Sequence, residues 1–205
     1  MSKKEIKEND EIKVILVGES GTGKTSLINT SIGLPFKENI ITSATNSFAP
    51  KDVKIGNKTY TLNLWDTIGQ EKYRALTKIF IKDSKIVIFV FDITKEETFK
   101  ELDYWINTIK EILKDDAVLG IAANKQDLYM NEEINEETIT KYAEEKKMLF
   151  QYTSAKNTET FTSLLEELLK QYIIKNGGVI ESENEGIKIG KEGNKMNVKR
   201  KFCCK

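Results

Sequence analysis

The 205-residue chain predicts an α/β protein with a six-stranded, mainly parallel sheet, one antiparallel strand and helices on both faces. Three observations carry this. Short apolar runs rich in β-branched and aromatic residues recur along the chain. Helical patterns separate several of them. Gly56-Asn57 lies between two strand-like runs and reads as a hairpin turn.

The elements follow in chain order. "IKVILVG" (12–18) is the first strand, and a helix begins near Lys24. "VKIGNKTYTLNLWD" supplies two strands around the hairpin, one of them antiparallel, the second being "YTLNLWD" (60–66). "KIVIFVFD" (85–92), "VLGIAANK" (118–125) and "MLFQYTSA" (148–155) are further strands. Residues 95–114 put Phe99, Leu102, Trp105, Ile106, Ile109 and Leu113 on one helical face. Residues 157–173 do the same with Phe161, Leu164, Leu165, Leu168 and Leu169. Strands alternating with helices imply a sheet covered on both sides. The expected organisation is an N-terminal extension over 1–10, one globular domain over 11–174 and a flexible tail over 175–205. That tail has five glycines, eight basic residues and four acidic ones, with no periodicity.

Composition removes several classes. Lys and Arg total 32, as do Asp and Glu, so no global field attracts nucleic acid. No apolar run reaches the ~18 residues of a membrane span, and "MSKKEIKENDEI" lacks the apolar core of a signal peptide. A cytosolic protein is expected. Histidine is absent, which excludes Ser-His and Cys-His nucleophilic catalysis and any His-ligated metal. The only cysteines, Cys203 and Cys204, are adjacent and cannot staple a core.

Four motifs carry chemistry. "GESGTGKT", Gly18 to Thr25, fits G-x-x-x-x-G-K-[S/T]. Backbone N–H groups of such a loop, here Ser20, Gly21, Thr22 and Gly23 with Ser26 following, close around phosphate oxygens. Lys24 is expected to reach the outer phosphates, the Thr25 hydroxyl to bind Mg²⁺, and the helix start to add its dipole. "WDTIGQE", Trp65 to Glu71, ends a strand with Asp66, a second Mg²⁺ contact. There Gly69 offers an N–H to a γ-phosphate and Gln70 can orient an attacking water. "NKQD" and "TSAK" follow later strands. Asp127 can accept both donors on guanine's Watson–Crick edge, whereas adenine would set lone pair against lone pair. Asn124 can tie loops together, Lys125 can lie along the base, and Ala155, flanked by Ser154 and Lys156, can offer its N–H to guanine O6.

With these motifs in this order the chain resembles a small GTPase of the Ras superfamily, and within it the Rab family. The likeness spans about residues 10–175 and the end of the tail. Its Rab-type marks are Ser20, Trp65, "EKYRALTKIF" and "FDITKEETF…W". It implies the P-loop small-GTPase fold, GTP/GDP and Mg²⁺ as ligands, slow GTP hydrolysis and a switch in vesicle trafficking. It also implies Phe36 packing on guanine, and Phe48, Trp65 and Phe80 forming an effector-facing surface. In "ENIITSATNSFAP" the hydroxyls of Thr42, Ser43 and Thr45 all qualify locally as a metal ligand. Family spacing from Phe48, Thr25 and Gln70 selects Ser43, with Thr42 second. The family's T-I-G becomes Ser43-Ala44-Thr45, and its D-T-A-G-Q becomes D-T-I-G-Q with Ile68. Ordinary GTP binding with an unusual effector set and altered hydrolysis is the hypothesis these departures raise. The ending "CCK" is not a C-a-a-X box and resembles double-cysteine endings that take two geranylgeranyl groups. Implied partners are an exchange factor, a GTPase-activating protein, effectors, a GDP dissociation inhibitor or escort protein, geranylgeranyltransferase and a membrane reached through the lipids. No nucleic acid is expected. The rivals are a hydrolysis-impaired GTP-binding module on the same fold, and a P-loop ATPase or small-molecule kinase.

Overall fold

The computed structural model describes residues 11–38, 48–66 and 81–180. The first apolar run forms β1 (Ile12–Val17), and the glycine loop after it leads into α1 (Lys24–Ser31). Strands β2 (Phe48–Ile55) and β3 (Lys58–Asp66) pair antiparallel from Phe48↔Trp65 to Ile55↔Lys58. Gly56, with φ of 58°, makes the turn between them. β4 (Ile86–Asp92), β5 (Val118–Asn124) and β6 (Leu149–Thr153) complete the sheet. The strand order is β2-β3-β1-β4-β5-β6, and every pairing except β2 with β3 is parallel. The expected six-stranded sheet with a single antiparallel strand is what forms.

Both faces of the sheet are buried, because successive side chains of a strand point to opposite sides. Val14 and Leu16 join one core cluster, and Ile15 and Val17 the other. The first core packs α1 and the long α5 (Thr158–Lys175) through Leu27, Phe161, Leu165 and Leu168. The second packs α2 (Glu96–Lys100), α3 (Leu102–Leu113) and α4 (Glu136–Lys146) through residues such as Trp105, Ile109 and Ile139. All seven residues of β4 are buried, as expected for a central parallel strand.

Three details differ from the sequence reading. The helical stretch over 95–114 is two helices broken at Glu101, whose ψ is −9°. Thr98 Oγ1 accepts from the Asp92 N–H (2.9 Å), and its hydroxyl lies 2.8 Å from the Lys95 carbonyl. These bonds tether α2 to the strand end. Helix α4 and a 3₁₀ helix at Gln126–Asn131 are additional elements. α4 buries only Ile139 and Ala143, too sparse a stripe to stand out in a polar stretch. Helix α5 includes Lys175, one residue past the boundary read from sequence.

Register then determines where a site can form. Leu16 pairs with Asp66, Asp92 with Asn124, and Asn124 with Thr153. The carboxyl ends of β1, β3, β4, β5 and β6 therefore share one edge of the sheet, the place where open α/β sheets bind ligands.

Candidate functional site

The loop after β1 is shaped by close approaches. A Cβ on Gly18 would lie 2.1 Å from the Val90 carbonyl oxygen, and one on Gly23 would lie 2.4 Å from Asn124 Nδ2. Both residues also have positive φ, 147° and 95°, a region glycine enters without steric cost. The chain then curls around Lys24. Its ammonium donates to the carbonyls of Gly18 (2.9 Å) and Glu19 (2.7 Å), and Thr22 Oγ1 also donates to the Glu19 carbonyl (2.9 Å). Gly23 is the N-cap of α1 and offers no side chain, so it leaves the helix's first N–H groups for another acceptor.

Beside this loop lies a buried hydroxyl–carboxylate pair. Thr25 Oγ1 donates to Asp66 Oδ2 at 2.5 Å. Asp66 Oδ1 is buried with no hydrogen-bond partner, a costly state for a carboxylate oxygen. Desolvation raises the Asp66 pKa, opposed by the Thr25 bond and the Lys24 charge. Lys24 is 5% exposed, and burial pushes its pKa down to about 8 despite the nearby charges of Asp66 and Glu19. The pair is short of positive charge, and the lysine is short of negative charge.

The other end of the site is built by the loops after β5 and β6. Buried Asn124 donates through Nδ2 to the Thr22 carbonyl (2.7 Å) and accepts from Thr153 Oγ1 (3.2 Å). It joins the glycine loop to both strand ends. Lys125 has a left-handed backbone (φ 68°) and pairs with Asp92 Oδ2 at 2.5 Å. Asp127 accepts from Ser154 Oγ (2.6 Å) on Oδ1 and meets Lys156 Nζ (3.0 Å) at Oδ2. Desolvation alone would raise the Asp127 pKa. The Ser154 and Lys156 hydrogen bonds and the Lys156 charge outweigh it and hold this carboxyl below its ordinary value. Lys156 also stands 5.4 Å over the Phe36 ring.

One cavity of about 360 Å³ joins these parts. Ser20, Gly21, Gly23, Lys24, Thr25 and Ser26 line one end. Phe36, Asn124, Lys125, Asp127, Ala155 and Lys156 line the other. Thr22 and Ser154 are buried behind it, and Asp66 is reached through Thr25. Ser43, Gly69, Gln70, Phe80, Cys203 and Cys204 lie outside the described residues. Of the aromatic trio, Phe48 and Trp65 stack with centroids 5.0 Å apart on β2 and β3, with Lys13 over the Trp65 ring. Sequence reasoning missed Glu38 and Leu128, which also line the cavity, and Asp92 beneath Lys125. It also missed the Glu19 carboxylate accepting from Trp105 Nε1 (3.2 Å). No local pattern distinguishes these residues from ordinary surface or strand-end positions.

A glycine loop after β1, an acid closing β3 and an Asn-Lys-x-Asp loop after β5, set on this sheet, define a P-loop α/β protein of the small-GTPase type. The sequence model of the Ras family matches residues 13–174. Human Rab-22A is 33% identical over 194 residues, covering 95% of this chain and 98% of that protein. Rab-21 of the sponge Geodia cydonium is 37% identical over 164 residues, covering 80% of this chain and 72% of its own. Mouse Rab-31 is 33% identical over 194 residues, covering 94% and 97%. The chain belongs to the Ras family and, within it, to the Rab small GTPases.

Proposed function

We propose that this protein is a GTP/GDP switch that holds its nucleotide in the cavity, hydrolyses GTP slowly and recruits effectors in membrane trafficking. The observation that carries the reading is the geometry of Asp127. Ser154 and Lys156 orient an ionised carboxylate beside a cavity whose far end is a phosphate-type loop. Such an acceptor suits guanine's two adjacent donors. Lys24 exchanges its carbonyl partners for phosphate oxygens and, with the N–H groups from Ser20 to Ser26, neutralises charge on them. Ala155 offers its N–H to the base, and Phe36 and Lys125 flank it.

Thr25 and Asp66 fit a magnesium ion. An orphaned carboxylate oxygen lies beside a hydroxyl already 2.5 Å from its twin. Among the described residues no three acidic, Cys or His groups converge. Magnesium is commonly bound by a few protein oxygens together with substrate phosphates. When bound, Mg²⁺ neutralises charge on the phosphates of the reacting nucleotide. Thr25 holds its hydroxyl toward the ion, Asp66 supplies the carboxylate, and Ser43 supplies a second hydroxyl in the triphosphate state. Gly69 donates its N–H to the γ-phosphate, and Gln70 orients the attacking water. Arg74 is the only arginine before the tail, so a GTPase-activating protein supplies catalytic charge in trans.

An exchange factor loads the switch, effectors read Phe48, Trp65 and Phe80, and a GDP dissociation inhibitor or escort protein handles the lipidated chain. Residues 11–174 form the GTPase domain. Geranylgeranyltransferase modifies Cys203 and Cys204 in the tail over 175–205, anchoring the protein to the cytoplasmic face of intracellular membranes.

Competition against a fluorescent GDP analogue tests the nucleotide. Unlabelled GTP and GDP should displace it, and ATP at a hundredfold higher concentration should not. Asp127→Asn should weaken GDP by at least about 2 kcal/mol and improve xanthosine diphosphate, whose C2 oxygen accepts where guanine donates. Equal competition by ATP would defeat the reading. Single-turnover hydrolysis with Ser43→Thr and Ile68→Ala tests whether this switch differs from its relatives. If neither change alters the rate or effector binding, the two departures are neutral.

A further inference from the structure

Asp92 ends the central strand β4 and is fully buried. A buried carboxylate is retained only where its oxygens have partners. Here the two oxygens are served differently, Oδ1 by hydrogen bonds and Oδ2 by an ion pair alone. Oδ1 accepts from the Thr94 N–H (3.0 Å) and Thr94 Oγ1 (2.7 Å), which closes the turn after β4. That turn accounts for one oxygen alone. Oδ2 instead meets Lys125 Nζ at 2.5 Å.

The register explains the reach. Asp92 is directly opposite Asn124, so the next residue of the neighbouring strand is Lys125. That lysine has a left-handed backbone, lines the cavity, and has a side chain 30% exposed against 1% for Asp92. Its head is thus drawn inward beneath the strand ends, which leaves its methylene stem to form the wall. A free lysine in this place would turn its ammonium to water.

We propose that Asp92 is a positioning residue of the nucleotide site, its buried carboxylate holding the Lys125 ammonium so that the lysine stem packs against the ring face of the bound base. The proposal rests on the guanine-nucleotide reading given above. Its consequence is a division of labour: Asp127 reads the edge of the base, and Asp92, through Lys125, fixes the surface under its face.

The test is the release rate of fluorescent GDP from the full chain with Mg²⁺. Asp92→Asn should speed release on the order of tenfold, as expected for loss of a charge-assisted contact. GDP and IDP should be affected by the same factor, because IDP lacks only the edge amino group that Asp127 accepts. In the Lys125→Met background, Asp92→Asn should change release by less than about twofold. Thr94→Val, which removes a partner of the other oxygen, should lower the melting temperature and leave release unchanged. If Asp92→Asn fails to fold, the comparison of Lys125→Met with the double variant decides alone. Release from the double variant more than about threefold faster than from Lys125→Met would overturn the proposal. So would unchanged release in Asp92→Asn, or a loss confined to GDP. A wild-type chain that bound no guanine nucleotide would overturn the underlying reading and this proposal together, a result distinct from any of these.

Discussion

Lys24 is a site residue whose chemistry the fold has altered strongly. Burial brings its pKa down from 10.5 to about 8, so the folded, nucleotide-free protein gives up this proton more readily than the unfolded chain. Between those two pH values the unfolded state binds more protons, and stability rises with pH across that window. Below pH 8 the cost of the buried charge is present in full. A phosphate group beside the ammonium favours the charged form and restores the proton. GDP binding at pH 8.5 should therefore take up a substantial fraction of one proton, and at pH 6.5 almost none through this group. Calorimetric titration in buffers of different ionisation enthalpy measures the difference. Lys24→Met should remove the pH-dependent part of the uptake. Uptake equal at both pH values would show that nucleotide does not approach Lys24.

Helix α5 approaches the sheet closely at Gly120. A Cβ on Gly120 of β5 would lie 2.7 Å from both methyl carbons of Leu168, which is fully buried. Gly120→Ala should cost about 1–3 kcal/mol through overpacking. Leu168→Ala should cost about 2–5 kcal/mol through the cavity it leaves. The double variant should lose less than the sum, because each change relieves the other. Denaturant unfolding at saturating GDP measures all three, and strict additivity would mean that the helix shifts to absorb each change separately. These interior elements were legible in sequence for the same physical reason that they are rigid. β4 is a run of β-branched and aromatic residues because both sides of it are buried, and α5 repeats leucines because one face is. What sequence hid was set by single polar contacts. Thr98 reaches back to the end of β4 just before the break at Glu101, and α4 shows only two buried residues. The site divides the same way. Gly18, Gly23 and Lys24 stand in a recognisable order because the backbone must curl around a small volume. Asp92 and Glu19 act across long sequence separation, on Lys125 and with Trp105, and a lone carboxylate shows no such partner in advance.

At the scale of the molecule, the site and the end of α5 lie at opposite edges of the sheet. Apart from Phe36 and Glu38, which follow α1, the residues placed at the cavity come from the carboxyl edge of the strands or the segments just beyond it. α5 starts just past the Ser154–Lys156 loop and runs for 18 residues, about 27 Å, back along the sheet. Its last residue, Lys175, donates to the carbonyls of Asp115 and Ala117, just before β5 begins. Among the described residues no helix is long and apolar enough to cross a membrane. The proposed anchor is the lipid pair on Cys203 and Cys204. A bilayer held at the pole where α5 ends would leave the nucleotide facing away from it. The doubly geranylgeranylated chain on vesicles should then release GDP at the rate of the free protein, within about twofold. Serine at either cysteine should turn stable vesicle binding into marginal, reversible binding, since one chain anchors weakly and two anchor firmly. Flotation with lipidated protein measures the second effect, and fluorescent GDP release on the same vesicles measures the first. Release slowed severalfold by the membrane alone would place the bilayer against the cavity and reverse this orientation.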